Sequence, residues 1–272
     1  MKRGAIFRML FYVDEKNIFE HSSSSEGVQL KWFKDNYYIK QDSLGYEALS
    51  EVICSILSFH ISNLDYVKYD FCEVSYKNVI YTNCCYSKNF LLDGEIAKTL
   101  PRLFSNRGVN LLEFINNLPT DEALLKIKEF LKLDDNFIIG IGKMLLLDAI
   151  TLNNDRHFHN ISLIKKEDSF KLAPIFDNGG AFLSNTMEFP MSYTDVKNIR
   201  SVKSKPFSTR FSNQVKGILK LGVSPLEIDV NGVMNDIDKI DVPIEYSIYL
   251  DRIKRLLDIR LKELEGKAWI SI

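Results

Sequence analysis

The sequence predicts an α+β fold with its two kinds of element segregated along the chain. A small β-rich lobe covers residues 1–86 and a larger helical lobe covers 87–272, together forming one domain. Three observations predict it. Up to about residue 86, apolar residues come in short runs rich in Ile, Val, Phe and Tyr, parted by polar turn-forming clusters. Beyond Ser87 the apolar residues recur at helical spacing. The chain has 272 residues, 46% of them hydrophobic, which is enough for a sizeable core.

The elements follow in order. Residues 5–13 read as a first strand, followed by a polar loop, Glu20-His21-Ser22-Ser23-Ser24-Ser25-Glu26-Gly27. Residues 28–33 and 37–40 flank Lys34-Asp35-Asn36 and predict a β-hairpin with its tip near Asp35-Asn36. Residues 46–57 are helical, because Leu49, Val52, Ile53 and Ile56 fall on one face. Residues 67–76 and 78–86 form a second strand pair. A short helix over 111–117 is stopped by Pro119, and Thr120 is placed to cap a helix over 121–133 whose first turn carries Asp121 and Glu122. Residues 137–152 are the most apolar stretch. They carry Lys143 and Asp148 and are too short to span a bilayer, so they read as a buried helix. Residues 161–164 and 171–174 form a short hairpin, and an irregular segment runs from Asp177 to about Pro206. Helices near 208–221, 230–237 and 244–266 close the chain, the last with Leu250, Ile253, Leu257, Leu261 and Leu264 along one face. A small sheet lobe, a connector and a larger helical lobe is the protein-kinase arrangement, with the nucleotide between the lobes.

Charge and cysteine usage narrow the setting. The formal net charge is −1 and the pI about 6.5, so no global basic field directs the chain to nucleic acid or an anionic membrane. The four cysteines are Cys54, Cys72, Cys84 and Cys85, with no C-x-x-C pair, which argues against a zinc site or a disulfide framework. A reducing, cytoplasmic compartment fits best. Arg8 interrupts the apolar run after Lys2 and Arg3, and no small-residue cleavage site follows, so no signal peptide is read. Export of a secreted effector by a specialised system would leave no trace in the sequence.

The chemistry-bearing residues lie in two places. Asp155-Arg156-His157-Phe158-His159-Asn160 follows the buried helix, and Ile175-Phe176-Asp177-Asn178-Gly179 follows the second hairpin. Phosphoryl transfer needs one carboxylate near the attacking hydroxyl, with an amide and a second carboxylate to hold Mg²⁺ on the phosphates. Asp155 takes the first role, Asn160 and Asp177 the others. His157, in the same loop, either braces Asp155 and the Asp177 turn or is structural only. His159 reads as a surface residue. A lone D-x-x-x-x-N arises readily by chance, and a turn after a helix is the plain alternative.

Upstream, Lys40 ends its strand where it can reach the α- and β-phosphates of ATP. The following helix offers Glu47 and Glu51, one turn apart on one face, as partners for it. Both stay open, with Glu51 deeper in the helix. Residues 22–27 sit between two strands, where backbone N–H groups and the hydroxyls of Ser23, Ser24 and Ser25 can cradle phosphates around Gly27. No G-x-G-x-x-G is present, and a flexible polar hairpin is the competing reading.

Together these residues resemble the HipA-like serine/threonine kinases, in particular the shorter single-unit members. The matching pieces are Lys40 after its strand, Gly45-Tyr46-Glu47-Ala48-Leu49-Ser50-Glu51, residues 153–160, and Leu172-Ala173-Pro174-Ile175-Phe176-Asp177. The last is the most characteristic, and the resemblance covers roughly residues 20–265. It implies a two-lobed kinase fold, ATP with Mg²⁺, and phosphorylation of serine or threonine on a protein substrate. It also implies autophosphorylation in the 22–25 loop, with Ser23 or Ser24 the candidates, which ejects the loop and inactivates the enzyme. Family toxins phosphorylate aminoacyl-tRNA synthetases and are held by an antitoxin. This sequence leaves no room for the extra N-terminal subdomain of the longer members, so that subdomain's antitoxin contacts do not carry over. A second resemblance, of Asp155-Arg156-His157-x-x-Asn160-Ile161 to the catalytic loop of phosphoinositide lipid kinases, competes. Against it, Lys197, Arg200, Lys203 and Lys205 follow Asp177 only at a distance. A pseudokinase acting through a partner is the remaining alternative, opposed by the intact Lys40, Asp155, Asn160 and Asp177.

Overall fold

The computed structural model describes residues 8–19, 29–167 and 169–272. The 22–27 loop, with Ser23, Ser24, Ser25 and Gly27, lies outside the described residues.

The N-terminal part is built on a five-stranded sheet and one helix: β1 (Met9–Tyr12), β2 (Lys31–Lys34), β3 (Tyr37–Gln41), α1 (Glu47–Phe59), β4 (Tyr69–Tyr76) and β5 (Val79–Lys88). The strand order is β1-β4-β5-β3-β2, with β1 parallel to β4 and the remaining pairs antiparallel. Two tight turns set the register. Asp35 and Asn36 join β2 to β3 at φ 50° and 66°, and Lys77 and Asn78 join β4 to β5 at φ 50° and 63°. Such two-residue turns need positive φ at both positions, which Asn and Asp tolerate best. Lys40 therefore lies opposite Lys31 on one side and Cys85 on the other. Alternation along β3 sends Ile39 into the upper cluster with Trp32, Phe11 and Val74, and Lys40 to the opposite face, above the Tyr69 ring.

The helix α1 is buried almost all round, as an element wedged between two lobes must be. Its N-terminus is capped from a distance, since the Ala48 N–H donates to Asp42 Oδ1 at 2.5 Å. Tyr246, far along the chain, donates its hydroxyl to the other Asp42 oxygen. Burial pushes the Asp42 carboxyl up to about 8, against those two hydrogen bonds.

The second part contains β6 (Ile96–Thr99), α2 (Leu100–Ser105), α3 (Leu111–Phe114), α4 (Thr120–Leu131), α5 (Asp135–Thr151), β7 (Ser162–Lys166) and β8 (Ser169–Leu172). It continues through α6 (Asp195–Ser201), α7 (Phe211–Lys220), β9 (Leu226–Glu227), α8 (Val230–Lys239), α9 (Ser247–Glu265) and β10 (Ile270–Ser271). Strands β6, β7 and β8 form a three-stranded antiparallel sheet, and β9 pairs with β10 in parallel. The centre is α5, whose buried residues cover every face. Gly142 lets it approach Val223, where a Cβ would come within 2.6 Å of a methyl group. The helix ends on Leu152 in the left-handed region, φ 58°, and the Asn153 N–H closes it onto the Asp148 carbonyl.

The mixed fold with a curled sheet lobe and a helical part is the one expected. Several details differ, among them the unexpected helix α2 and the end of α3 at Phe114. Thr120 is the first residue of α4 rather than its cap; Pro119 holds the cap position and the Thr120 side chain makes no capping bond. It is packed instead against α7, so close that a Cβ on Gly217 would lie 2.7 Å from it. The segment after Asp177 is not irregular throughout, because it contains α6. The strands β6, β9 and β10 were not anticipated; the last two have two residues each and exist through their mutual pairing.

Candidate active site

Lys40, Glu51 and Asp177 meet between the sheet and the helical part. Lys40 Nζ lies 2.5 Å from Glu51 Oε1 and 2.6 Å from Asp177 Oδ1. Glu51 Oε2 in turn accepts from the Asn178 N–H at 2.8 Å. One helix glutamate thus holds both the strand lysine and the backbone beside Asp177. Glu47 does not reach Lys40. Its carboxylate accepts from the N–H groups of Leu44, at 2.7 Å, and Gly45, at 3.1 Å, so it orders the loop entering α1. A glutamate in a helix's first turn finds unpaired N–H groups closer than any distant cation.

Burial alone would lower the Lys40 pKa, but the Asp177 and Glu51 carboxylates overcome it and hold the ammonium well above its ordinary value. Burial alone would raise Asp177. Lys40 and then Lys31, whose Nζ is 4.0 Å from Asp177 Oδ2, hold it well below the usual carboxylate range instead. Asp177 adopts φ 59°, a left-handed conformation unusual outside glycine, which turns the chain sharply at the carboxylate.

Asp155 and Asn160 lie on the loop after α5. The Asn160 amide N–H donates to the Asp155 carbonyl at 3.1 Å, which closes the loop and leaves its carbonyl oxygen to accept or to ligate. The Asp155 N–H is fixed by Asn153 Oδ1 at 3.1 Å. Its carboxylate is about half exposed, with Lys205 Nζ 3.3 Å from Oδ1. Gly180 brings the Asp177 segment against this loop, for a Cβ there would sit 2.7 Å from Asp155 Cβ and 3.1 Å from Asn153 Oδ1.

The brace between the two loops is Arg156, not His157. Arg156 is wholly buried. It pairs with Asp148 of α5 at 3.0 Å, and donates to the Phe176 carbonyl at 2.6 Å and to Asn178 Oδ1 at 2.5 Å. One guanidinium therefore ties the central helix, the Asp155 loop and both neighbours of Asp177 together. Burial pushes the Asp148 carboxyl up, opposed by Arg156 and by Asn153 Nδ2 at 3.0 Å. His157 Nδ1 is buried with no hydrogen-bond partner among the described residues. Burial lowers the His157 pKa, opposed by Asp155 and Asp177, so this ring lies within the field of both carboxylates. His159 is exposed.

The side chains that sequence reasoning missed left signals of their own. Asp148 is an acid amid the apolar residues of a helix that reads as buried, and a buried acid demands a cation. Arg156 stands eight residues on. A two-residue turn at 35–36 places Lys31 directly opposite Lys40, and like charges facing across a hairpin demand an acid near them. Lys205 gave no such signal, since its approach to Asp155 depends on a tertiary fold of residues 203–210.

Two groups can offer oxygen to a cation, the Asp177 carboxylate, which Lys40 and Lys31 already face, and the Asn160 side-chain carbonyl. Among the described residues no group of three Cys, His, Asp or Glu side chains is arranged to hold a metal alone. That set fits Mg²⁺, which takes few protein ligands and completes its shell with phosphate and water oxygens.

Comparison with solved structures gives the same fold. The proinflammatory kinase CtkA of Helicobacter pylori superposes with a TM-score of 0.62 at 18% identity, over 96% of this chain and 97% of that one. HipA of the Shewanella oneidensis toxin–antitoxin system, solved with HipB and operator DNA, superposes with a TM-score of 0.51 at 10% identity, over 96% of this chain and 69% of that one. No protein-family profile matches the chain, and no curated protein matches it in sequence. The likeness is one of fold, of the kinase-like kind those two proteins share. Among the described residues no helix is long and apolar enough to cross a membrane, and all four cysteines are buried and free.

Proposed function

We propose that the protein is an ATP- and Mg²⁺-dependent phosphotransferase that phosphorylates serine or threonine hydroxyls of a protein. The observation that carries this reading is the joint placement of Lys40 on both Glu51 and Asp177, with Asp155 and Asn160 on the loop packed against the Asp177 segment. Phosphoryl transfer needs a cation on the phosphates, oxygen ligands for a metal and a carboxylate for the acceptor hydroxyl, and these groups can supply them.

In this reading each group has one role. Lys40, fixed by Glu51, presents its ammonium to the phosphates. Asp177 and Asn160 would hold Mg²⁺, which would supply charge neutralisation to the phosphates. Asp155 orients the acceptor hydroxyl and takes its proton. Arg156 keeps the Asp155 and Asp177 loops in register, so that the reacting groups are held before the substrate arrives. Ser23, Ser24, Ser25 and Gly27 supply the phosphate loop in this reading, and Ser23 or Ser24 its autophosphorylation site. An antitoxin-like regulator and a cytoplasmic place of action belong to the same reading, by analogy with the HipA system.

Phosphoryl transfer to an anionic lipid is the second reading, favoured by one observation: Lys205, from a basic run distant in sequence, reaches Asp155. The protein, incubated with Mg²⁺ and γ-labelled ATP beside protein acceptors and phosphoinositide vesicles, distinguishes them. Label on serine or threonine supports the first reading. Label in lipid alone replaces it with the second.

A further inference from the structure

We propose that Lys205 is a catalytic residue of this site, its ammonium binding the terminal phosphoryl group of the nucleoside triphosphate and anchoring the Asp155 carboxylate. The inference rests on the phosphotransferase reading and adds a residue from outside both of its loops. Lys205 Nζ lies 3.3 Å from Asp155 Oδ1, and both side chains are about half exposed. An ion pair that open to water contributes little to stability. The backbone around it is nevertheless fixed by buried polar groups. Gln214, 1% exposed, donates to the Lys205 carbonyl at 3.1 Å and accepts from the Phe207 N–H at 3.0 Å. Ser204, 2% exposed, bonds across the turn, its N–H to the Thr209 carbonyl at 3.1 Å and its hydroxyl to the Ser208 carbonyl at 2.6 Å. Phe207 meets Phe158 of the Asp155 loop edge-on at 5.2 Å. A rigid turn is thus built against the Asp155 loop, and the side chain it delivers there is a lysine.

The charge balance gives that lysine its work. The lysines near Asp177 are Lys40 and Lys31, both on the sheet side, and the third cation in its field, Arg156, is wholly buried and paired with Asp148. Residues 196–210 carry Lys197, Arg200, Lys203, Lys205 and Arg210 and no acid, in a chain whose net charge is −1. Of these five, Lys205 is the one in contact with Asp155, where the terminal phosphoryl group meets the acceptor. In the transfer, the acceptor oxygen bonds to the γ-phosphorus while the bond from that phosphorus to the β–γ bridging oxygen breaks. The hydroxyl proton passes to Asp155, and the nucleoside diphosphate leaves with the electron pair. Lys205 exchanges no proton. It neutralises charge on the moving phosphoryl oxygens, as a preorganised cation in a transfer site does.

A γ-phosphate contact is visible without turnover. Calorimetric affinities of Mg-ATP and Mg-ADP are compared for wild type, Lys205→Ala, Lys205→Arg and Lys203→Ala, with thermal melts to confirm folding. Lys205→Ala should weaken Mg-ATP about tenfold and Mg-ADP hardly at all, Lys205→Arg should restore most of the preference, and Lys203→Ala should match wild type. Wild type binding both nucleotides, with the preference unchanged in Lys205→Ala, overturns this inference alone. Wild type binding neither overturns the phosphotransferase reading and this inference with it.

Discussion

Removing Arg156 should disable the site through its scaffold, and the structure lets stability and activity be separated. Arg156→Ala strands Asp148, which is wholly buried and keeps only Asn153 Nδ2 as a side-chain partner. An uncompensated buried charge costs about 3–5 kcal/mol. The same substitution takes the donors from the Phe176 carbonyl and from Asn178 Oδ1, the two residues flanking Asp177. Replacing both members, as Asp148→Leu with Arg156→Met, removes the stranded charge but leaves the Phe176 carbonyl, Asn178 Oδ1 and Asn153 Nδ2 without these partners, at about 1–3 kcal/mol each where no water replaces them. Urea unfolding of the wild type, Arg156→Ala and the double variant should therefore show a large loss and a partial recovery. Phosphoryl-transfer rates should show no recovery, because a shift of about 1 Å at Asp177 already costs about 100-fold and neither variant restores its anchors. A double variant that regains wild-type rate would refute the assignment of Arg156 as the brace. So would Arg156→Ala with unchanged stability.

Three further expectations follow from the same geometry. Glu51→Gln should lower the transfer rate by about 100-fold, whereas Glu47→Gln should chiefly lower stability by about 1 kcal/mol, because Glu47 serves backbone N–H groups and not Lys40; equal rate losses would contradict the division. Asp42 bears on pH: with its folded pKa near 8 and an unfolded value near 4, the folded state binds more protons between those values, so stability falls as pH rises through that window. Thermal melts should show that fall flattened in Asp42→Asn, and parallel pH profiles for the two proteins would contradict it. Gly180→Ala should abolish most activity while the protein stays folded, since the new methyl lands 2.7 Å from Asp155 Cβ; full activity would show that the two loops are not packed as described.

Much of this arrangement was legible because its signals are local. The Asp35-Asn36 turn, the apolar face of α1 and the largely apolar run of α5 each arise from residues close in sequence, and the elements they predict are present. The choice between Glu47 and Glu51 was not legible. It turns on which carboxylate finds free N–H groups nearby, and that depends on the path of residues 43–45. The helix α6 was missed because it is short and its buried side chain is Asn198, so no apolar stripe announces it. The pair β9 and β10 was missed because a two-residue strand carries no period and its partner lies more than forty positions away. Arg156 was legible in principle. Its partner Asp148 is a charge in an apolar helix, a buried carboxylate demands a cation, and Arg156 is the next arginine in the chain.

The central claim is that Asp155 and Asp177 serve one transfer of phosphate from ATP. The direct measurement is the rate of γ-phosphate transfer with Mg²⁺ for wild type, Asp155→Ala and Asp177→Ala, each confirmed as folded. Wild type should transfer phosphate at a rate that falls by at least about 100-fold in either variant and with EDTA. Wild-type transfer no faster than that of the two variants would contradict the account.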